Sequence, residues 1–480
     1  MNRLVHRRFA RRSTNRTHLI FAVLILSVVA TGCISARKTP NLEQIFANAR
    51  ASTGKRPVIV IPGILGSELI NPKTGETVWP SAFRTKQEGL PISPNLAANR
   101  DDLVPGKIVE TAKLAKLLPE VYVYRDLLEA LRRYAGYREG NWETPSADGD
   151  RDTFYVFAYD WRRDNVENAR ELVRRLQRLK EKLKRDDLKF NIVAHSMGGL
   201  IARYAAMYGD ADLPPGDGTI QPAWNGAAHI SKIVMIGVPN EGSTDAFATL
   251  VEGYSVTEGL RRRLPLLNKL TAEDAARTPS VYQLMPHAGV VRFLDEDLKP
   301  LVIDLYDVQV WKQYGWSALH GFEKTNGTNG QVDEIDAYLD ATLKRARRFH
   351  QALDAVDRSA SPVVLLAIGG DCEDTLNSPV VFRDQKRNRW VTLTRPREFR
   401  TSAGEKVSKK VVTEAMYVPG DGRVTRASLL GENLFKISDA QTGFTLSRYA
   451  VFGCDLHGQL PRNKSLQDNA LTAIVGEVIR

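Results

Sequence analysis

The chain has 480 residues, of which 43% are hydrophobic and 26% are charged, the composition of an ordinary globular protein with a sizeable core. This length accommodates up to three average domains, or one α/β domain with insertions. The formal charge is +11, but six arginines lie in the first 32 residues and the remainder carries +5. Because this net charge is small, we do not expect the protein to bind nucleic acid.

Residues 1–32 have the pattern of a secretory signal. An arginine-rich flank precedes an apolar run from Leu19 to Ala30. This run is too short to span a bilayer comfortably, since a membrane helix needs about 20 apolar residues. We therefore predict an exported protein.

The exit from this segment, Ala30-Thr31-Gly32-Cys33, resembles a bacterial lipobox. It predicts lipidation of Cys33 and a bacterial cell envelope location, with the membrane surface as a partner. Because Ile34 stands where an aspartate would signal inner-membrane retention, the outer membrane is favoured, facing the periplasm or the exterior. An ordinary signal peptide with an incidental cysteine is the alternative. Residues 33–55 are expected to be a polar tether.

Residues 56–480 are predicted to form one α/β domain. Apolar strand-like segments alternate with amphipathic helices, which indicates a mostly parallel sheet with helices on both faces. Two stretches, 71–152 and 240–360, show few strand signals and are expected to be lid or cap insertions. Ordinary, poorly patterned helices are the alternative for both.

The stretch Phe190 to Gly199, FNIVAHSMGG, points to Ser196 as a nucleophile. Ala194 and Gly198 frame it in the pattern A-x-S-x-G, a variant of the strand-turn-helix motif that exposes a reactive serine. The small neighbours are needed because the tight turn leaves no room for larger side chains. His195 is expected to pack and hydrogen-bond, not to act as the base.

A serine nucleophile needs a histidine base and an orienting carboxylate, in the chain order Ser, Asp or Glu, His. His457 follows a strand-like segment and is the predicted base, whereas His320 and His350 are expected at the surface. Asp421, in a Pro-Gly-Asp-Gly turn after the apolar run 411–418, is the favoured carboxylate. Asp371 remains the second candidate.

Backbone amides should complete the site. The N–H of Met197, directly after the serine, is one expected oxyanion donor. The N–H of Ile64, in the loop Pro62 to Gly66, is the other. No metal or cofactor is expected, since the chain has neither a CxxC nor an HExxH motif. Whether Cys372 and Cys454 pair is left open.

Seven segments, in order, resemble the lecithin:cholesterol acyltransferase family of α/β-hydrolases. They are VIPGILGSELI, TVWPS, FAYDWR, AHSMGGL, IGVPNEGS, VYQLMP and PGDGRVT. The resemblance implies an α/β-hydrolase fold, a triad of Ser196, Asp421 and His457, and an oxyanion hole from the Ile64 and Met197 amides. It also implies that the two insertions cover an acyl-chain groove. Asn240 and Arg423 depart from residues that are frequent in the family, and neither is a catalytic group.

The expected activity is serine-dependent hydrolysis of lipid acyl esters, of the phospholipase or lipase type, through an acyl-enzyme. Transfer of the acyl group to an alcohol is the alternative. A non-catalytic lipid-anchored binding protein on the same scaffold is an alternative of another class.

Overall fold

The computed structural model describes residues 39–80, 90, 92–96, 101–113, 120–216, 218, 220–255, 269–290, 293–319, 329–355, 361–433 and 446–476. Its compact unit begins at Leu42. A parallel sheet forms the centre of this unit. Its seven strands are β1 Val58–Ile61, β2 Arg138–Glu139, β3 Thr153–Val156, β4 Phe190–His195, β5 Ile230–Ile236, β6 Val364–Gly370 and β7 Arg448–Gly453.

The spatial order of the strands is β7-β6-β5-β4-β1-β3-β2, and all neighbouring pairs are parallel. The registers Val60↔Val193 and Val193↔Val234 align β1, β4 and β5 at the centre. These strands consist mostly of apolar residues because both faces of the sheet are covered. Their carboxyl ends therefore meet at one edge, where ligand sites of such sheets are found.

Four helices cover the two faces. They are α1 Arg125–Arg133, α2 Asn165–Leu183, α3 Met197–Tyr208 and α4 Lys464–Val475. Ile59 and Ile61 of β1 pack in one apolar cluster with α2 and α3. Val58 and Val60 point to the opposite face and pack with α1 and α4. This arrangement confirms the predicted α/β architecture with helices on both faces.

The tether prediction is wrong for its second half. Residues 42–55 belong to the compact unit, where Leu42–Ile45 and Ala47–Ala51 are short helices. Leu42 and Phe46 are buried in the cluster that contains α1 and α4. Leu42, Ile45 and Phe46 follow the i, i+3, i+4 spacing of a helix face, which was the available signal.

The proposed insertion at 71–152 is too long. Helix α1 covers one face of the sheet, and β2 pairs with β3 through Arg138↔Thr153. Residues 125–152 are thus mostly part of the central layers. Among its described residues, Thr77–Trp79 and Val104–Ile108 form a three-stranded antiparallel sheet with the preceding strand Ser67–Ile70, and Thr111–Lys113 forms a hairpin with Glu120–Tyr122.

The second insertion lies between β5 and β6, and a further one lies between β6 and β7. The helices of the former are Thr244–Glu252, Ala272–Ala276, Pro279–Tyr282, Val308–Tyr314 and Asn329–Leu353. Its strands Phe293–Leu294 and Pro300–Leu301 form one sheet with Val380–Asp384 and Arg389–Leu393 of the latter. The two insertions are thus joined by backbone hydrogen bonds.

The remaining elements are short. The paired strands are Tyr254–Ser255 with Lys269–Leu270, Glu373–Leu376 with Tyr417–Gly420, and Phe399–Arg400 with Lys406–Val407. The helices are Lys409–Met416, Arg426–Leu430 and the 3-10 turns Asn225–Ala228 and His457–Arg462. Within the described part of the chain, no helix has the length and apolarity needed to cross a membrane.

Most of the apolar run 411–418 is helical: it lies in the helix Lys409–Met416, and its last two residues begin the strand Tyr417–Gly420. Ser408 caps this helix, its side chain accepting a hydrogen bond from the Val411 N–H. Val412 and Met416, four residues apart, are its buried face. A strand follows only at Tyr417–Gly420, directly before Asp421.

Candidate active site

Ser196 lies in a strained turn between β4 and α3. Its φ and ψ are 54° and −129°, a conformation that residues with a side chain seldom adopt. The Ser196 N–H donates to the carbonyl of Ile236 at 2.9 Å, which ties the turn to the end of β5. The sharp turn presents the hydroxyl at the carboxyl edge of the sheet.

Close packing explains the small residues around the serine. A Cβ on Gly198 would lie 2.5 Å from the Pro62 carbonyl oxygen, and one on Gly63 would lie 2.7 Å from Ser196 Cβ. Both distances are shorter than carbon contacts allow. Glycine at these positions lets the loop after β1 approach the serine directly.

The structure brings Ser196, His457 and Asp421 together. Ser196 Oγ lies 2.8 Å from His457 Nε2, and His457 Nδ1 lies 2.8 Å from Asp421 Oδ2. A carboxylate only accepts hydrogen bonds, so His457 carries its proton on Nδ1 and leaves Nε2 free to accept from the serine. All three residues are more than nine-tenths buried. This is the geometry of a serine nucleophile with its base and orienting carboxylate.

The Asp421 carboxylate is fixed by the backbone. Its Oδ1 accepts from the N–H of Arg423 at 3.0 Å and of Val424 at 2.8 Å. The His457 N–H donates to the Asp421 carbonyl at 2.8 Å, so the two residues are joined by backbone and side chain. Within the described residues, neither a hydrogen bond nor an ion pair links Asp371 to His457.

A disulfide between Cys372 and Cys454 lies beside this pair. Cys372 follows β6, and Cys454 follows the neighbouring β7, three residues before His457. The bond thus joins the loop that carries the base to the adjacent strand end. The sequence left open whether Cys372 and Cys454 pair. They do so because β6 and β7 are adjacent in the sheet.

Gly237, at the end of β5, was missed in the sequence. A Cβ there would lie 3.2 Å from Asp421 Oδ2 and 3.3 Å from His457 Cε1, and its φ is 57°. Only glycine allows the base and carboxylate to pack against β5. A glycine directly after an apolar strand was the available signal.

The two expected oxyanion amides are those of Met197, which directly follows Ser196, and of Ile64, in the loop after β1. Met197 is the first residue of α3, so its N–H has no carbonyl partner inside the helix. Within the described residues no hydrogen bond engages the Ile64 N–H. Its loop is held by its neighbours: Tyr159 Oη donates to the Pro62 carbonyl at 2.9 Å, and Trp79 Nε1 donates to the Leu65 carbonyl at 2.9 Å.

His195 is a buried hydrogen-bonding residue. Its Nδ1 lies 2.7 Å from Tyr124 Oη, and its Nε2 lies 3.1 Å from the His457 carbonyl oxygen. Burial, reinforced by the charge of His457, holds the pKa of His195 well below its ordinary value. His195 is therefore neutral in the folded protein at neutral pH.

The expectation of a surface position for His350 is wrong. Its Nε2 lies 2.8 Å from the Gln283 carbonyl, and its ring stacks on His287 with centroids 4.1 Å apart. Burial, with a contribution from His287, lowers the pKa of His350 well below its ordinary value. His320 and Cys33 lie outside the described residues, inside which no group of three or more metal-ligating side chains occurs.

Several solved structures are similar to this chain. One is a structure of the Tle4–Tli4 complex, with 15% identity, a TM-score of 0.53, and coverage of 89% of this chain and 100% of that chain. Lipase BlEst2 of Bacillus licheniformis is 11% identical with a TM-score of 0.32, covering 88% and 92% of the two chains. EstA of Clostridium botulinum is 13% identical with a TM-score of 0.36, covering 92% of each. No curated protein matches the chain.

The central sheet, the helices around it and the serine turn after β4 make this an α/β-hydrolase fold. Residues 112–358 match the family model described as lecithin:cholesterol acyltransferase. The match includes Ser196 and ends before Asp421 and His457, which lie within hydrogen-bonding distance in the structure. Because it covers just over half of the chain, the protein belongs to the lecithin:cholesterol acyltransferase family.

Proposed function

We propose that the protein is a serine-dependent hydrolase of lipid acyl esters. Its family membership supports an enzyme that acts on lipid esters, either by hydrolysis or by acyl transfer. The observation that carries the serine mechanism is the continuous hydrogen-bonded line Ser196–His457–Asp421, with 2.8 Å at each step.

In the first half-reaction, His457 Nε2 takes the Ser196 proton as Oγ attacks the acyl carbonyl carbon. The amides of Ile64 and Met197 stabilise the negative oxygen of the tetrahedral intermediate. His457 then gives the proton to the departing alcohol, the ester bond breaks, and the acyl group remains on Ser196.

In the second half-reaction, His457 takes a proton from water, and the hydroxyl attacks the acyl-serine. Collapse of this second intermediate returns the proton to Ser196 Oγ and releases a carboxylic acid. An alcohol in place of water would give a new ester instead, which is the acyl transfer that the family description names. The outcome depends on how well water is excluded from the acyl-enzyme.

We further propose that the insertions, with the bounds corrected above, cover the acyl chain of the substrate. Lipidation of Cys33 and an outer-membrane location belong to the same proposal. They would hold the enzyme at a bilayer that contains its substrates. Mass spectrometry of the protein extracted from cell envelopes tests the anchor, since an unmodified Cys33 would contradict it.

A fluorophosphonate probe tests the nucleophile. We expect the wild-type protein to be labelled, and the label to disappear in Ser196→Ala, because only an activated serine reacts with this reagent. A matched control is Ser428→Ala, which removes a buried serine hydroxyl outside the triad and should leave labelling intact. A folded wild-type protein that resists labelling would favour the non-catalytic binding protein.

The acceptor is identified with the same enzyme preparation. Phospholipid, triacylglycerol and short-chain esters are supplied with and without a long-chain alcohol, and the products are separated. Free fatty acid as the main product in both conditions supports hydrolysis. A new ester that dominates when the alcohol is present would identify an acyltransferase.

A further inference from the structure

Three hydrogen bonds connect the oxyanion loop to the base by a route that does not pass through Ser196. The Gly63 N–H donates to Tyr124 Oη at 2.8 Å. Tyr124 Oη lies 2.7 Å from His195 Nδ1, and His195 Nε2 lies 3.1 Å from the His457 carbonyl oxygen. The residues joined are 61, 71 and 262 positions apart in the chain.

Elementary chemistry fixes the direction of each bond. A carbonyl oxygen only accepts, so His195 must carry a proton on Nε2 to bind His457. A neutral imidazole then has a bare Nδ1, which accepts the single hydroxyl proton of Tyr124. The Tyr124 oxygen, having donated that proton, accepts from the Gly63 N–H. Every donor in the chain has one acceptor.

The hydrogen-bond chain reaches both the proposed oxyanion donor and the proposed base. Gly63 directly precedes Ile64, whose N–H is the proposed oxyanion donor. At the other end, His457 is held at its carbonyl by His195 and at its N–H by the Asp421 carbonyl. The separation between oxyanion donor and base is thus set partly through Tyr124 and His195.

The hydrogen-bond chain is shielded from water. Tyr124 and His195 are 2% and 5% exposed, so water has little access to their hydrogen bonds. The rings of His195 and His457 are 4.8 Å apart. Because the pKa of His195 is lowered by burial, a proton arriving on His457 does not move on to its neighbour.

We propose that Tyr124 and His195 are positioning residues that couple the oxyanion loop to His457 through a directed hydrogen-bond chain, with the His195 proton on Nε2. The hydrogen bonds of this chain end at the Gly63 N–H and the His457 carbonyl, and not at the Ser196 hydroxyl or the His457 imidazole. The inference rests on the proposed function for its kinetic consequences, and on the structure alone for the position of the proton.

Tyr124→Phe tests the coupling. We expect kcat to fall by at least about 10-fold with KM within about 2-fold, because a displaced oxyanion donor acts on the transition state more than on substrate binding. The matched control is Tyr155→Phe, which also removes a buried hydroxyl. That hydroxyl donates to the Gly149 carbonyl at 3.0 Å and is not part of the hydrogen-bond chain. Equal kinetics for the two variants would overturn the proposal.

A double-mutant cycle separates coupling from general destabilisation. Tyr124→Phe and His195→Asn each break the chain, so the double variant should lose little more kcat than the worse single variant. Tyr155→Phe combined with His195→Asn should instead be additive. His195→Gln should retain more kcat than His195→Asn, since its longer amide can donate toward the His457 carbonyl. Additive losses in the first pair would contradict the chain.

The proton position is measured without turnover. Nitrogen-15 NMR of the full chain with labelled histidine, assigned by comparison with His195→Asn, should show Nε2 of His195 protonated and Nδ1 bare. A proton on Nδ1 overturns the proposal even in a protein that the fluorophosphonate probe does not label. Failure of the proposed function is recognised separately, by the absence of that label from folded wild-type protein.

Discussion

Asp421 is the residue whose assignment depends most on the tertiary structure. Two backbone N–H groups orient its carboxylate, and the remaining oxygen holds His457 Nδ1 at 2.8 Å. Asp371 follows the neighbouring β6, and its backbone N–H bonds to the Gly453 carbonyl. The two aspartates were alternatives in the sequence, and only one of them faces the histidine.

Asp421→Asn is expected to lower kcat by about 10³- to 10⁴-fold, because an amide in place of the carboxylate no longer holds His457 in the tautomer that accepts from serine. Asp371→Asn, the same chemical change one strand away, should leave kcat near the wild-type value. Steady-state ester hydrolysis measures both, and thermal unfolding verifies that each variant is folded. The reverse ranking would transfer the carboxylate role to Asp371.

Among the elements, β6 and β7 decide where the base lies. They are parallel neighbours, in register at Ile368↔Ala450, and both end at the edge of the sheet where Ser196 is found. The disulfide Cys372–Cys454 closes their ends together just before His457. Glu373–Leu376 then pairs with Tyr417–Gly420, so the same region also positions Asp421.

Replacing both Cys372 and Cys454 by serine should lower the free energy of unfolding by about 2–5 kcal/mol, the range for a native disulfide. We also expect a lower kcat, since the His457 loop loses its covalent link to β6. Urea unfolding and ester hydrolysis are measured with and without dithiothreitol. The reductant should weaken the wild-type protein and leave the double variant unchanged. A wild-type protein that is indifferent to full reduction would show that the bond does not constrain this edge.

At the scale of the whole molecule, burial of His195 and His350 affects how stability depends on pH. Burial lowers the pKa of both His195 and His350 well below the ordinary value. An unfolded chain binds protons at these residues below about pH 6.5, whereas the folded chain does not. The unfolded state therefore gains protons on acidification, and stability must fall as the pH decreases.

Between pH 6.5 and 5 we expect the free energy of unfolding to fall with a limiting slope of about 1.4 kcal/mol per pH unit for each of these histidines. This window lies above the range in which carboxylates titrate. His350→Gln should reduce this slope by about 1.4 kcal/mol per pH unit, the contribution of one proton, whatever its effect on absolute stability. Urea unfolding at a series of pH values measures it, and an unchanged slope in the variant would exclude His350 as a contributor.

The sequence by itself determined the features that depend on neighbouring residues. The serine turn needs small residues two positions before and after Ser196, and a strand and helix around them, all within one short segment. The alternation of apolar strands and amphipathic helices is likewise local, and it predicted the sheet with helices on both faces. The chain order of the triad, together with a position after a strand-like segment, left Asp421 and Asp371 as the candidate carboxylates.

Tertiary structure decided what depends on distant segments meeting. The choice of Asp421 over Asp371, the Cys372–Cys454 bond and the burial of His350 each require knowledge of which strands and helices are adjacent. Residues 42–51 carry apolar side chains at helical spacing, but only the tertiary structure shows that Leu42 and Phe46 pack against the sheet. The link from Gly63 through Tyr124 to His195 has no sequence pattern, because hydrogen bonds between loops depend on position in space and not on spacing along the chain.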